Sequence, residues 1–178
     1  MKYILSIVFA CLVLTGGCGY TTRAILPENQ KSIHVDNFVN GIDFNKEISN
    51  RRPEYSYWPG LETNITKTVI DNFLLDKSLM VKSETEADLL LKGTLKEFRQ
   101  FPLSYDNNDN VEELRVEIYV DLELYDNHTN QLLWKESGFM GQTDYTVNGP
   151  KTESESEAVN AAAKDLSQRI LERIVESW

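Results

Sequence analysis

Between Glu113 and Tyr125 the chain alternates without a break. Leu114, Val116, Ile118, Val120, Leu122 and Leu124 are apolar, and Glu113, Arg115, Glu117, Tyr119, Asp121 and Glu123 stand between them. Successive side chains of an extended strand point to opposite faces, so the pattern demands one apolar and one polar face. At about 3.3 Å per residue such a strand runs for roughly 40 Å. Its polar side carries too much charge for an ordinary core, which points to an antiparallel sheet covered by helices on one side only.

The rest of the chain can be arranged around that strand. From Lys31 to Val39, Ile33 and Val35 alternate with polar residues and predict a first strand, with His34 on its polar side. Asn40 to Trp58 has no period and reads as a long loop. After Pro59-Gly60, Leu61, Ile65, Val69 and Phe73 recur every four residues, widened by Ile70 and Leu74, and predict a helix ending at Asp76 to Ser78. Leu89, Leu91, Gly93 and Leu95 alternate with Leu90, Lys92, Thr94 and Lys96 in a second strand, and strand, helix, strand implies a parallel crossover. A loop over Pro102 to Asn110 precedes the long strand, and the Asp126 to Asn130 turn precedes a fourth strand over Leu132 to Tyr145. Thr152 and Glu155 have capping-box spacing before a long helix whose apolar positions are Ala158, Ala162, Leu166, Ile170, Ile174 and Trp178. The expected fold is α+β: a two-layer sandwich with a four-stranded mixed sheet, order β-α-β-β-β-α, and two helices on one face.

The 178 residues fit one domain with a sizeable core. Residues 1–17 read as a signal peptide: Lys2 supplies the positive start, and Ile4 to Leu14 is apolar except for Ser6, too short for the roughly 20 residues that span a bilayer. Leu14-Thr15-Gly16-Gly17-Cys18 looks like a bacterial lipobox in which Cys18 becomes the lipidated N-terminus, although Thr15 occupies a place that the pattern usually gives to Leu, Val or Ile. A plain secretory signal with Cys18 near its cleavage site is the alternative. Residues 18–30 then form a short lipidated tether and residues 31–178 the domain. Cys11 would leave with the signal, so no disulfide forms within one mature chain. The mature chain has 17 Lys and Arg against 28 Asp and Glu, a net charge of −11, which argues against nucleic acid as a partner. Gly19 replaces the Asp that often retains lipoproteins in the inner membrane, so the expected site is the periplasmic face of the outer membrane.

Chemistry is sparse. The only imidazoles are His34 and His128, and Cys18 would be blocked by lipid, so neither a nucleophile nor its base is in evidence and no enzyme or cofactor is expected. Asp106, Asn108, Asn110 and Glu117 fall at positions 1, 3, 5 and 12 of a calcium loop, but Val111 stands where the turn needs Gly and Glu117 belongs to the long strand. An Asn- and Asp-rich hairpin loop is the better reading, and no metal site is assigned.

Several short stretches together resemble a known family. Cys18-Gly19-Tyr20, Trp58-Pro59-Gly60-Leu61-Glu62, Ala87-Asp88-Leu89-Leu90-Leu91-Lys92-Gly93, Pro102-Leu103-Ser104-Tyr105-Asp106, Leu122-Glu123-Leu124-Tyr125-Asp126, Leu133-Trp134 and Thr152-Glu153-Ser154-Glu155 are similar, in order, to the lipopolysaccharide-assembly lipoproteins, the LptE family. The resemblance implies a lipid-anchored domain seated inside the outer-membrane barrel LptD as its plug and assembly partner, with lipopolysaccharide (LPS) as a ligand. The lumen of a transmembrane barrel is polar, and the polar face with Glu113, Glu117, Tyr119 and Asp121 suits contact with it. Arg115 and Lys151, beside the loops, are the candidate cations for LPS phosphates. The alternative from another class is an outer-membrane lipoprotein that activates a peptidoglycan synthase. That role calls for a long disordered tether, whereas about a dozen residues separate Cys18 from the first strand. A soluble ligand carrier would instead need a deep apolar pocket.

Overall fold

The computed structural model describes residues 30–42, 58–149 and 151–176. The lipobox with Cys18, most of the long 40–58 loop and Trp178 lie outside them. The described elements are β1 (Ser32–Val35), β2 (Val39–Asn40), α1 (Leu61–Asp76), β3 (Met80–Val81), β4 (Leu89–Tyr105), β5 (Val111–Asp126), β6 (Gln131–Thr146) and α2 (Glu155–Glu176).

Among the described residues the protein is α+β with two helices and an open mixed sheet, but the sheet has six strands rather than four. Its order is β3-β1-β4-β5-β6, with β2 also pairing β4. The two unexpected strands have two residues each, too short for alternation to register in the sequence. One predicted strand over Lys31 to Val39 is in fact two, because Asp36 to Phe38 leave the ladder between β1 and β2. The parallel crossover is present, with β1 and β4 paired in parallel either side of α1, and β4, β5 and β6 form the expected antiparallel meander.

A second correction concerns the loop expected from Pro102. The β4 strand continues through Pro102 to Tyr105, leaving Asp106 to Asn110 as the connection. Proline lacks a ladder donor and is tolerated on a free edge. Beyond the pairing of Asn40 with Leu95, no strand among the described residues occupies that side of β4. In the connection, the Asp106 carboxylate accepts the backbone N–H groups of Asn108 (2.8 Å) and Asn110 (2.9 Å), and Asp109 takes a left-handed conformation. Asp106 is thereby used as a turn former while Glu117 stays in β5, as the hairpin reading requires.

One apolar cluster unites the elements. Leu61, Ile65, Val69 and Phe73 of α1, Leu89, Leu91, Leu95 and Phe98 of β4, and Val116, Ile118, Val120, Leu122 and Leu124 of β5 are all buried in it. The α2 stripe joins them through Ala158, Ala162, Leu166, Ile170 and Ile174. Small residues let α2 approach closely: a Cβ on Gly141 of β6 would lie 2.4 Å from Leu166 Cβ and 2.5 Å from its backbone nitrogen. From the same helix Asp165 accepts the N–H of Gln142 at 2.9 Å, covering a donor on the outermost strand.

The cap of α2 is displaced by two residues from the expected one. Ser154 and Glu157 form the reciprocal box: Ser154 Oγ accepts the Glu157 N–H (3.2 Å) and the Glu157 carboxylate accepts the Ser154 N–H (2.9 Å). Thr152 donates its hydroxyl to the Gly149 carbonyl instead. Both spacings occur in the sequence, and the helix begins at Glu155, which makes Ser154 the residue placed to cap it.

Candidate functional site

The polar face of β5 is ordered by its neighbours. Register sets Arg99 and Gln142 on either side of Glu117, Asp144 beside Arg115, and Lys92 and Lys135 on either side of Glu123. Opposite charges placed across neighbouring strands attract, and two of these pairs, Arg115 with Asp144 and Lys135 with Glu123, are joined by direct contacts. Arg115 donates two parallel hydrogen bonds to Asp144, at 2.6 and 2.8 Å, which raises the guanidinium pKa and lowers that of the carboxyl. Lys135 and the Tyr125 hydroxyl both donate to Glu123 at 2.7 Å, and with the Lys135 bond as the larger cause Glu123 is held below the usual carboxylate range.

Glu117 is less exposed than alternation alone implies. Only 8% of its surface is accessible, and it accepts the Tyr119 hydroxyl at 2.9 Å. Burial first, then the nearby Glu117, pushes the Tyr119 phenol upward. The Arg99 guanidinium lies 4.8 Å from the centre of the Tyr119 ring and bonds Glu97 at 2.7 Å. Asp121 is fixed too, accepting the Gly138 N–H at 3.0 Å. Glu113 is exposed and bonded by Ser104. The four expected partner-face residues therefore share one surface whose side chains are already oriented.

Next to them lies a groove of about 250 Å³ where β2, β4, β5 and β6 meet. Lys92, Lys96 and Lys135 line it together with Asp36, Asp121 and Glu123. It is a small groove whose lining mixes lysines with carboxylates. Sequence reasoning did not single out these three lysines. Lys92 and Lys96 were visible on the polar side of the second strand, but only the Lys92–Glu123–Lys135 register brings the third one in. The expected cations lie elsewhere: Arg115 is engaged with Asp144, and Lys151 is exposed in the turn before α2.

The histidines serve structure where their contacts are visible. His34 Nδ1 lies 3.0 Å from the Lys82 carbonyl, and His128 Nε2 lies 3.1 Å from Asp88. The buried Ser32 hydroxyl also donates to Asp88, at 2.7 Å. The carboxylate lies between hydroxyl and imidazole, so the serine and His128 both bond Asp88 rather than each other.

The family model for lipopolysaccharide-assembly proteins, LptE, matches residues 31–174. This chain belongs to the LptE family. Membership makes it a lipopolysaccharide-assembly protein of a lipoprotein family without enzymatic activity, and identifies the polar sheet face as part of an LptE domain. A comparison with curated proteins found no match. Among solved structures, the hypothetical protein CT253 from Chlamydia trachomatis shares the fold at 9% identity, with 82% of this chain and 95% of that chain covered and a TM-score of 0.51. A minor lipoprotein from Acinetobacter baumannii aligns at 15% identity, covering 83% and 94%, with a TM-score of 0.47. The rare lipoprotein B from Shewanella oneidensis aligns at 16% identity, covering 84% and 96%, with a TM-score of 0.43.

Proposed function

We propose that this LptE-family protein is anchored through lipidated Cys18 to the periplasmic face of the outer membrane, where it plugs the LptD barrel and aids its assembly. Residues 1–17 are the signal, 18–30 the tether and 31–178 the functional domain. In this reading the two helices cover one side of the sheet in a two-layer arrangement, consistent with the single core cluster, and leave the polar side to the barrel. The observation that carries the reading is the ordered polar face: Glu113, Tyr119 and Asp121 line it in a fixed array that suits a polar lumen, and Glu117, buried among them, holds the Tyr119 hydroxyl. Little side-chain freedom remains to be lost on docking, which favours affinity.

LPS is the proposed ligand of the same face. Its phosphates require local cations on a domain of net charge −11, and the groove brings Lys92 and Lys96 together beside Lys135, whose ammonium is already held by Glu123 at 2.7 Å. Arg115 and Lys151 remain candidates, but a phosphate at Arg115 must compete with Asp144, whose two hydrogen bonds already match the guanidinium fork. Binding of labelled LPS to detergent-solubilised protein at low ionic strength tests the assignment. Lys92→Glu with Lys96→Glu should weaken binding on the order of tenfold, equivalent to about 1.4 kcal/mol. Arg115→Glu with Lys151→Glu should cost less. Undiminished binding in the lysine variant would remove the groove from the site.

A further inference from the structure

We propose that the end of the domain nearest the tether docks on the phospholipid bilayer through Leu74, Leu75 and Met80, fixing how the anchored protein stands on the membrane. This rests on the lipoprotein reading above, in which Cys18 carries the anchor. The three side chains are 54%, 79% and 56% exposed, while their neighbours Phe73 and Leu79 are buried. Phe73 spends the core-facing direction of α1, and the next two residues turn about 100° and 200° away from it. They form an apolar end that the described residues do not cover.

Its location singles out the bilayer as occupant. The Met80 N–H donates to the Lys31 carbonyl at 2.9 Å, and Ser32 is in register with Met80, so this end adjoins the place where the chain arrives from the tether. Helix α1 also packs against β3 there. Gln30 follows Cys18 by twelve residues, a reach of at most about 43 Å when fully extended. Strand β4 runs roughly 53 Å from Leu89, near the tether end, to Tyr105 at the far tip. The tethered end is therefore the one held against the membrane. A tether of this length makes docking intramolecular, at an effective concentration in the millimolar range, so a contact too weak for a free protein becomes populated. Lys31, Lys77 and Lys82 flank the patch and can extend toward headgroups, while Asp71 and Asp76 offset them, leaving apolar insertion as the driving term.

The test uses the full lipidated chain in vesicles of phosphatidylethanolamine and phosphatidylglycerol. Because lipidated Cys18 has no free thiol, Leu75→Cys and Met80→Cys each provide one site for an environment-sensitive dye, with Leu103→Cys at the far end of the sheet as control. Flotation with the vesicles is scored first. Expected are a blue shift and strong quenching by brominated lipid at positions 75 and 80, emission at 103 like that in buffer, and loss of the Met80→Cys shift when Leu74→Asp is added. If the chain floats but positions 75 and 80 behave like 103, docking is overturned while anchoring stands. If it does not float, both fall. A shift that appears only when a barrel protein is reconstituted alongside would assign the patch to a protein seat and overturn the bilayer proposal.

Discussion

Replacing Asp88 with Asn should loosen the junction between tether and domain, and the structure sets the size of the effect. One oxygen of Asp88 accepts the Lys31 N–H (2.9 Å), the Ser32 N–H (3.0 Å) and the Ser32 hydroxyl (2.7 Å), while the other meets His128 Nε2 at 3.1 Å. Led by the Ser32 hydroxyl bond, these contacts hold the carboxyl at about 2 instead of 3.8. At 1.36 kcal/mol per pKa unit, the folded state prefers the ionised form by about 2 kcal/mol, and a neutral amide should forfeit that much at neutral pH. Because the folded pKa is depressed, the contribution is complete above the unfolded value near 3.8 and is lost as pH falls through about 2. Urea unfolding of the mature domain followed by circular dichroism should place the Asp88→Asn midpoint roughly 1 M below wild type at pH 7, taking a slope of about 2 kcal/mol per molar. The gap should shrink between pH 4 and pH 2. A gap that is absent at pH 7, or that persists undiminished at pH 2, would refute the argument that charge on Asp88 fastens β1.

Gly141→Ala should destabilise the fold by about 1–3 kcal/mol, since the added methyl meets the backbone of Leu166 and α2 must shift. Thermal unfolding checks this, and an unchanged midpoint would mean that helix and strand are less closely packed than the geometry states. Ser154→Ala should cost about 1 kcal/mol through loss of the α2 cap, whereas Thr152→Ala should stay within about 0.5 kcal/mol. The reverse order in urea unfolding would restore the Thr152 and Glu155 box.

The legible parts of the fold were those with many repeats of one period. Thirteen residues of alternation specified β5, and four-residue recurrence specified both helices along nearly their full lengths. What escaped was short or decided by neighbours. The two-residue strands β2 and β3 exist because β4 and β1 offer them edges, and Pro102 stays extended because its side of β4 has no strand partner among the described residues. At the candidate site, alternation found Glu113, Glu117, Tyr119 and Asp121 on one face but could not show that Glu117 is buried. That depends on Tyr119 and on the residues of β4 and β6 beside it. Register likewise assembled Lys92, Lys96 and Lys135 and spent Arg115 on Asp144, pairings with no local trace in the sequence.

Whether the polar sheet face is the surface that meets the barrel can be measured directly by co-purification. Glu117 is unsuitable for charge reversal, since a lysine in a site 8% exposed would test folding rather than docking. Glu113→Lys with Asp121→Lys changes the charge of the face, and Asp71→Lys with Glu172→Lys makes the same change on exposed positions of the two helices. Each tagged variant would be expressed with LptD, checked for a normal melting transition, and purified in detergent. Barrel recovery should fall several-fold for the sheet-face pair and stay near wild type for the helix pair. Equal recovery from both, or greater loss from the helix pair, would contradict barrel contact through the sheet face.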